Sequence, residues 1–415
     1  MHGAAPCFMQ RRASLIALGV WTVVGCDGGS GDKPDGPTAD AAFSDGGIDG
    51  GRDGAIDAPL TLPALGVYTV NTDGTDLRLL VDAGSQHLSH VRQLAGTDWL
   101  TATRYTEDPD NNGLAMELEA NAPGGLNYGG AQIVVFRASS PSVVTAITPV
   151  VAGKMTANSS WTSDGALIFL RQDHPSDPNL TRLERATFTT LPSNVTITAI
   201  PLPPELVLPI DPHQSGPSDA SGSIVFPALF QHPNGWMRPV WKVPASGATS
   251  LADVSVVGCP VCPAMSGCCA WPTVADVLGT NDPRFDHAGT RVMWMQQHPD
   301  VSFDLGAIHG NPMRPHVRVL SAPTSVDLTP PGVAATTSVS FGEWRPDDAE
   351  VTYWTIELAG TVLLQRLYRM APDGTQRQVV PLPPELCPHH PSYVSSTRIV
   401  FSAFRCFGAA CTCAP

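Results

Sequence analysis

Charge is scarce in this sequence. Only 15% of its 415 residues are charged, and basic residues are the scarcer sign, 24 against 38 acidic, for a net charge of −14. A nucleic-acid partner needs Lys and Arg to displace counterions from phosphates, and no basic cluster is present, which argues against that class. Helix formers are interrupted throughout by 40 Pro and 38 Gly, which argues against a mostly helical protein. The common catalytic signatures are missing as well. There is no G-x-S-x-G elbow, no H-E-x-x-H, no phosphate-binding P-loop and no G-x-G-x-x-G between a strand and a helix. What remains is an apolar fraction of 42%, enough for a core, in a chain long enough for one large repeat fold or two ordinary domains.

The N-terminus reads as an export signal. Arg11 and Arg12 precede an apolar run, Ala13 to Val24, of 12 residues. That is too short to span a bilayer but suits the core of a signal peptide. The run ends Val23-Val24-Gly25-Cys26, which resembles a bacterial lipobox. The resemblance implies cleavage after residue 25 and lipid on the Cys26 sulfur. Residues 27–60 then hold 8 Asp and 9 Gly. So little apolar surface cannot offset the entropy of ordering, so 26–60 is expected to be a disordered tether reaching about 30 Å.

Beyond residue 60 the sequence repeats. Six segments share a turn followed by a strongly apolar strand: Arg92 to Gly96 before Trp99-Leu100, Trp161 to Gly165 before Leu167-Ile168-Phe169, Ser218 to Gly222 before Ile224-Val225-Phe226, Phe285 to Gly289 before Val292-Met293-Trp294, Trp344 to Asp348 before Val351 to Trp354, and Tyr393 to Ser396 before Ile399-Val400-Phe401. Their mean spacing is about 60 residues. Each unit continues through a third strand, an Asp-Gly or Ser-Gly turn and a fourth strand. Pro372-Asp373-Gly374-Thr375 between Leu364–Met370 and Gln376–Val380 shows this most clearly, and Asp-Gly between two β-rich runs is a hairpin signal. Four strands per unit at this period predict an all-β, six-bladed β-propeller. Pro283-Arg284-Phe285-Asp286-His287-Ala288-Gly289 and Trp161-Thr162-Ser163-Asp164-Gly165 are similar to the blade motif of TolB-type propellers. That resemblance covers about 65 to 405 and implies an interaction module of the periplasm. The last unit stops after two strands near Phe404, and Val67–Val70 with Leu77–Val81 read as the missing pair. The last blade is thus expected to close with strands from both chain ends, giving a propeller over 61–405 and a Cys-rich tail over 406–415.

In such a blade the tight turns lie on one face, and the strand 2–3 loops and blade-to-blade links lie on the other, here called the loop face. Long insertions fall on the loop face, at 106–130, 256–280 and 298–315. Binding groups usually sit on long loops over a rigid scaffold. Within the first insertion, residues 108–119 match D-x-[DN]-x-[DN]-G-x5-E and resemble a calcium loop. Calcium takes about six to eight oxygens. Asp108, Asp110, Asn112 and Glu119 are expected to supply side-chain oxygens and Leu114 its carbonyl, with Gly113 at the sharp turn. The plain alternative is an acidic solvated loop. Eight histidines, His87, His90, His174, His213, His232, His298, His389 and His390, map to the loop face as well. They leave open a metal-dependent lyase or hydrolase, against the simpler reading of a strand-end motif inherited by duplication. Eight cysteines remain in the body, an even number that reads as disulfides in an exported chain. Cys387 and Cys406 flank the first hairpin of the last blade and are the expected pair. Cys259-x2-Cys262 with adjacent Cys268 and Cys269 leaves disulfides or zinc open. The expectation for function is a lipid-anchored, non-enzymatic envelope module that binds a protein or a glycan, with calcium as a stabilising ion.

Overall fold

The computed structural model describes residues 62–109, 111, 113–116, 130–151, 153–173, 181–207, 222–233, 235–259, 280–297, 313–322, 324–329, 337–359 and 362–405. The segments expected to be a signal and a tether, Cys26, the 406–415 tail, and Asp110, Asn112, Glu119 and Cys406 lie outside them. Among the described residues the chain is all β, with a single 3-10 turn at Leu251–Asp253.

Five four-stranded antiparallel sheets dominate. Sheet 1 runs Leu88–Gln93, Trp99–Tyr105, Ala131–Arg137, Ser140–Ala146. Sheet 2 runs Met155–Trp161, Leu167–Gln172, Thr181–Thr190, Ser193–Ala199. Sheet 3 shows three strands among the described residues, Ser223–Pro227, Val240–Pro244 and Ser255–Gly258, with a separate ribbon of Leu206–Val207, Leu229–His232 and Gly235–Met237 beside it in sequence. Sheet 4 is Thr280–Phe285, Arg291–Gln297, Met313–Val319, Val326–Asp327. Sheet 5 is Thr337–Trp344, Val351–Ala359, Val362–Met370, Gln378–Val380. Sheet 6 joins the two ends of the described chain. Leu386–Ser395 and Arg398–Arg405 pair with Leu65–Asn71 and then Arg78–Gly84, in register from Leu65 opposite Phe404 to Asn71 opposite Arg398.

The inner strands of the sheets are apolar on both faces and covered on both, while outer strands such as Ser140–Ala146 and Ser193–Ala199 are largely exposed. Ile133 and Val135 of sheet 1 pack on Trp161, Leu167 and Phe169 of sheet 2. Ile168 and Leu170 of sheet 2 pack on Ile224, Phe226 and Trp241 of sheet 3. Val225 and Val240 of sheet 3 meet Phe285 and Trp294 of sheet 4, and Met293 and Met295 of sheet 4 meet Trp344 and Tyr353 of sheet 5. Leu367 of sheet 5 shares a core with Tyr68, Ile399 and Phe401 of sheet 6. Val67 and Val400 of sheet 6 pack on Leu88, Leu100 and Phe136, so the succession returns to sheet 1. Burying each such aliphatic or aromatic side chain contributes about 1.5–3 kcal/mol.

The turn chemistry follows from the sequence. Asp373 Oδ1 accepts from the Thr375 N–H at 2.9 Å and its hydroxyl at 2.6 Å, and Asp73 holds Thr75 with the same two distances. Gly74 and Gly374, at φ of 87° and 83°, take the left-handed position that a side chain resists. A second regularity was not legible from the repeat. The first strand of five sheets slips register by a two-residue bulge, between Ser89 and Arg92, Ala157 and Ser160, Asn281 and Arg284, Phe341 and Trp344, and His389 and Ser392. The first bulged residue is His90, Asn158, Asp282 or His390 at φ between 46° and 59°, or Gly342 in sheet 5. His, Asn and Asp are the side chains that tolerate a left-handed backbone best, so the bulge itself selects polar residues.

Candidate functional site

The bulges carry buried polar groups to the first strands of the sheets. His90, Asn158, Asp282 and His390 are all buried. Their neighbours two residues on include Arg92 and Arg284, which are buried too. Glu343, from the bulge of sheet 5, faces both: its Oε2 lies 3.4 Å from Arg92 Nε and 3.7 Å from Arg284 Nε. One carboxylate thus ties sheet 5 to sheets 1 and 4. Arg92 also donates from Nη1 to the carbonyls of Val91 at 2.9 Å and His390 at 3.4 Å. Burial, and then the charge of Arg284, hold the Arg92 guanidinium down to about 10, against the opposing pull of Glu343 and Asp282.

Four of the loop-face histidines converge where sheet 6 meets sheet 1. The rings of His90 and His390 stack with centroids 3.7 Å apart. His389 lies edge-on to His390 at 4.4 Å and 6.0 Å from His87, and His87 stacks on Tyr105 at 6.2 Å. Trp354 of sheet 5 closes the group, 4.2 Å from His389 and 5.7 Å from His390. Ser89 Oγ and His390 Nδ1 are 3.0 Å apart. His87, His90 and His390 are buried and His389 is half-buried. His232 stands apart on its ribbon beside Phe230. His174, His213 and His298 lie outside the described residues. Among the described residues no group of three or more His, Cys, Asp or Glu side chains is arranged to hold a metal ion.

Sequence spacing did not bring these four histidines together. The available signal was columnar: once the repeats are aligned on their bulges, His90 and His390 occupy one position in adjacent sheets.

Part of the calcium-loop candidate is visible. Asp108 Oδ2 accepts the Gly113 N–H at 2.8 Å, and Asn111 and Gly113 adopt left-handed φ of 59° and 89°. The chain then returns to the histidine cluster. Ala115 donates to the Ser85 carbonyl at 2.7 Å and accepts from the His87 N–H at 2.9 Å. Asp108 and Leu114 are described; Asp110, Asn112 and Glu119 are not. Cys259 and Cys387 are each disulfide-bonded, and Cys387 is buried opposite Phe404.

The opposite face consists of short turns whose acids are bonded. Asp286 accepts from Thr290 and Arg291, and Asp348 of sheet 5 accepts the N–H groups of His287 and Ala288 of sheet 4 at 2.8 and 3.0 Å.

No protein-family model matches the chain, and no curated protein matches it. Among solved structures it is similar to an oligogalacturonate lyase in complex with manganese, at 12% identity over 79% of this chain and 75% of that one, with a TM-score of 0.42. It is also similar to Kuenenia stuttgartiensis hydrazine synthase, at 10% identity and TM-score 0.47, covering 83% of this chain and 47% of the other. A Trypanosoma rangeli sialidase in complex with the inhibitor DANA follows at 10% identity, TM-score 0.41, and 81% and 57% coverage. At these identities and TM-scores the likeness carries no argument about activity or ligand.

Proposed function

We propose that the chain is a six-bladed β-propeller of the TolB-like kind, lipid-anchored to the cell envelope through Cys26, that binds a protein or glycan partner without catalysing a reaction. The observation that carries the reading is the succession of cores that runs through six sheets and returns to the first. Closing the last sheet with strands from both ends removes edges that would otherwise pair with other chains. Such a scaffold would leave binding to the loop face, to which the sequence assigns the long insertions. The Asp/Gly-rich tether would let the body reach a partner away from the membrane surface.

Two measurements test it. Cys26→Ser should move the protein from the membrane fraction to the soluble fraction or leave it unprocessed; unchanged fractionation and mobility refute the anchor. For binding, a photo-crosslinking residue at Asp108, on the loop face, should give a discrete adduct in cells, whereas one at Asp373, on the turn face, should give none. Equal labelling from both faces, or a transition metal retained near one equivalent with turnover of an envelope polymer, overturns the reading in favour of a metal-dependent lyase or hydrolase.

A further inference from the structure

The outer strands of the sheets are not equally protected. An outer strand presents unpaired backbone groups on its free edge, and folded proteins blunt such edges by keeping them short or by placing charge or proline on them. The outer strands of sheets 3, 4 and 5, Ser255–Gly258, Val326–Asp327 and Gln378–Val380, are four residues or fewer. Arg78–Gly84 of sheet 6 carries Arg78 and Asp82, and Ser140–Ala146 of sheet 1 carries Pro141. Ser193–Ala199 of sheet 2 has none of these protections. It is seven residues long and exposed at every position except the half-buried Val195, and no charged residue falls between Arg185 and Glu205.

The register fixes which backbone groups face out. The Ile200 N–H donates to the Leu183 carbonyl of the third strand at 2.9 Å, and the Thr196 carbonyl lies 3.5 Å from the Thr187 hydroxyl on the same strand. Pairing is regular from Val195 opposite Phe188 to Ala199 opposite Glu184. In an antiparallel ladder, hydrogen-bonded pairs alternate with open ones. Thr196 and Thr198 therefore bond inward, and Val195, Ile197 and Ala199 direct their N–H and C=O groups to the free edge. Asn194, at φ of 53°, ends the regular stretch. Side chains alternate as well, with Val195, Ile197 and Ala199 on one face and Thr196 and Thr198 on the other. The edge from 195 to 199 is thus its own complement. Two copies run antiparallel about Ile197 would set Ile197 opposite Ile197, Val195 opposite Ala199 and Thr196 opposite Thr198, apolar on apolar and hydroxyl on hydroxyl.

We infer that Ser193–Ala199 is a docking edge for a second copy of this chain, with residues 195–199 of the two copies forming a ladder that joins two four-stranded sheets. Charge selects this occupant. The chain carries −14, so two copies repel where their charged surfaces meet, and this edge sets no charged side chain of one copy opposite a charge of the other. A strongly acidic or basic partner strand would find no ion pair on it. Ile197, 37% exposed, is covered by its own counterpart, and β-branched side chains suit the pairing. The inference stands whether or not a partner binds the loop face.

Sedimentation equilibrium of the full chain in density-matched non-ionic detergent tests this. The wild type should form dimers below about 100 μM. Ile197→Lys puts like charges directly opposite across the two-fold axis and should weaken association at least about tenfold, while Val143→Lys, on the outer strand of sheet 1, leaves it unchanged. An equimolar mixture of Ile197→Lys with Ile197→Glu should regain dimers that neither variant forms alone at the same concentration, a result that a folding defect cannot produce. A wild type that stays monomeric at about 100 μM overturns the inference and leaves the edge to a strand of another protein. Equal weakening by Val143→Lys, or a mixture that stays monomeric, overturns it too. Mild oxidation reads the register. Thr196 and Thr198 would form an open pair about 4.5 Å apart at Cα, within reach of a disulfide, whereas Thr196 meets its own counterpart only on the diagonal, at about 7–8 Å. Thr196→Cys mixed with Thr198→Cys should link at least about tenfold faster than either alone, with the wild type and its native cysteines as the blank. Equal rates overturn the ladder.

Discussion

The carbonyl oxygen of Pro391 lies 2.0 Å from where a Cβ on Gly342 would stand. Gly342 is the first bulged residue in sheet 5, and Pro391 follows the bulged His390 in sheet 6. At this one junction the neighbouring backbone occupies the space that His90, Asn158, Asp282 and His390 fill with side chains elsewhere. Gly342→Ala must push the two first strands apart, and overpacking of this kind costs about 1–3 kcal/mol, more where backbone has to move. Denaturant unfolding should show a loss of about 3 kcal/mol. A loss below about 0.5 kcal/mol, the range of ordinary surface changes, would mean that the strands separate freely.

Asp286 should control stability in strong acid. Its buried carboxylate accepts from the Thr290 N–H at 2.7 Å, the Thr290 hydroxyl at 2.9 Å, the Arg291 N–H at 2.9 Å and Arg291 Nε at 2.8 Å. Burial alone would raise its proton affinity, but the Arg291 and Thr290 hydrogen bonds outweigh it and hold the carboxyl below the usual range. Such a group contributes stability above its unfolded value, near 3.9, and that contribution is lost as pH falls below it. Asp286→Asn should therefore cost about 3 kcal/mol at pH 7, with the difference from wild type shrinking below about pH 4. A difference that stays constant from pH 7 to pH 3 would assign the effect to shape rather than charge.

Calcium should raise the melting temperature if 108–119 holds the ion, because a ligand that binds only the native state stabilises it by mass action, by about 2.7 kcal/mol at a hundredfold excess over its dissociation constant. Asp108→Ala combined with Glu119→Ala should abolish the shift. A wild-type melting curve that does not move at millimolar calcium removes calcium from the account.

The half-cystine at Cys387 should be found linked to Cys406. Cys387 is disulfide-bonded and sits opposite Phe404, and Cys406 is two residues further on in the sequence. Closing this loop, with its two cysteines 19 positions apart, contributes about 3 kcal/mol by the chain-entropy relation. Peptide mapping without reductant decides it, and a Cys387 peptide joined to any of the 259–269 cysteines or to 411 or 413 refutes the pairing.

Much of the strand pattern was readable in advance. Leu167-Ile168-Phe169 and Val292-Met293-Trp294 announce themselves as runs buried on both faces, and Asp373-Gly374-Thr375 encodes its own turn through one carboxylate. The shared sheet of 65–84 and 386–405 was readable too, because each end shows half of a repeating unit. The ribbon of Leu206–Val207, Leu229–His232 and Gly235–Met237 was not, since its strands are two to four residues long and carry no periodic signal.

Alternation, turn residues and repeat spacing are local, so the sequence alone determined an all-β chain of repeated antiparallel units. Which polar residues meet is not local. His90 and His390 become neighbours only because sheet 6 packs on sheet 1, and Glu343 reaches Arg92 and Arg284 only because three sheets bring their bulges together. Those contacts depend on the packing angle and register between segments far apart in the chain. No spacing along one strand encodes them, and the tertiary structure alone decided them.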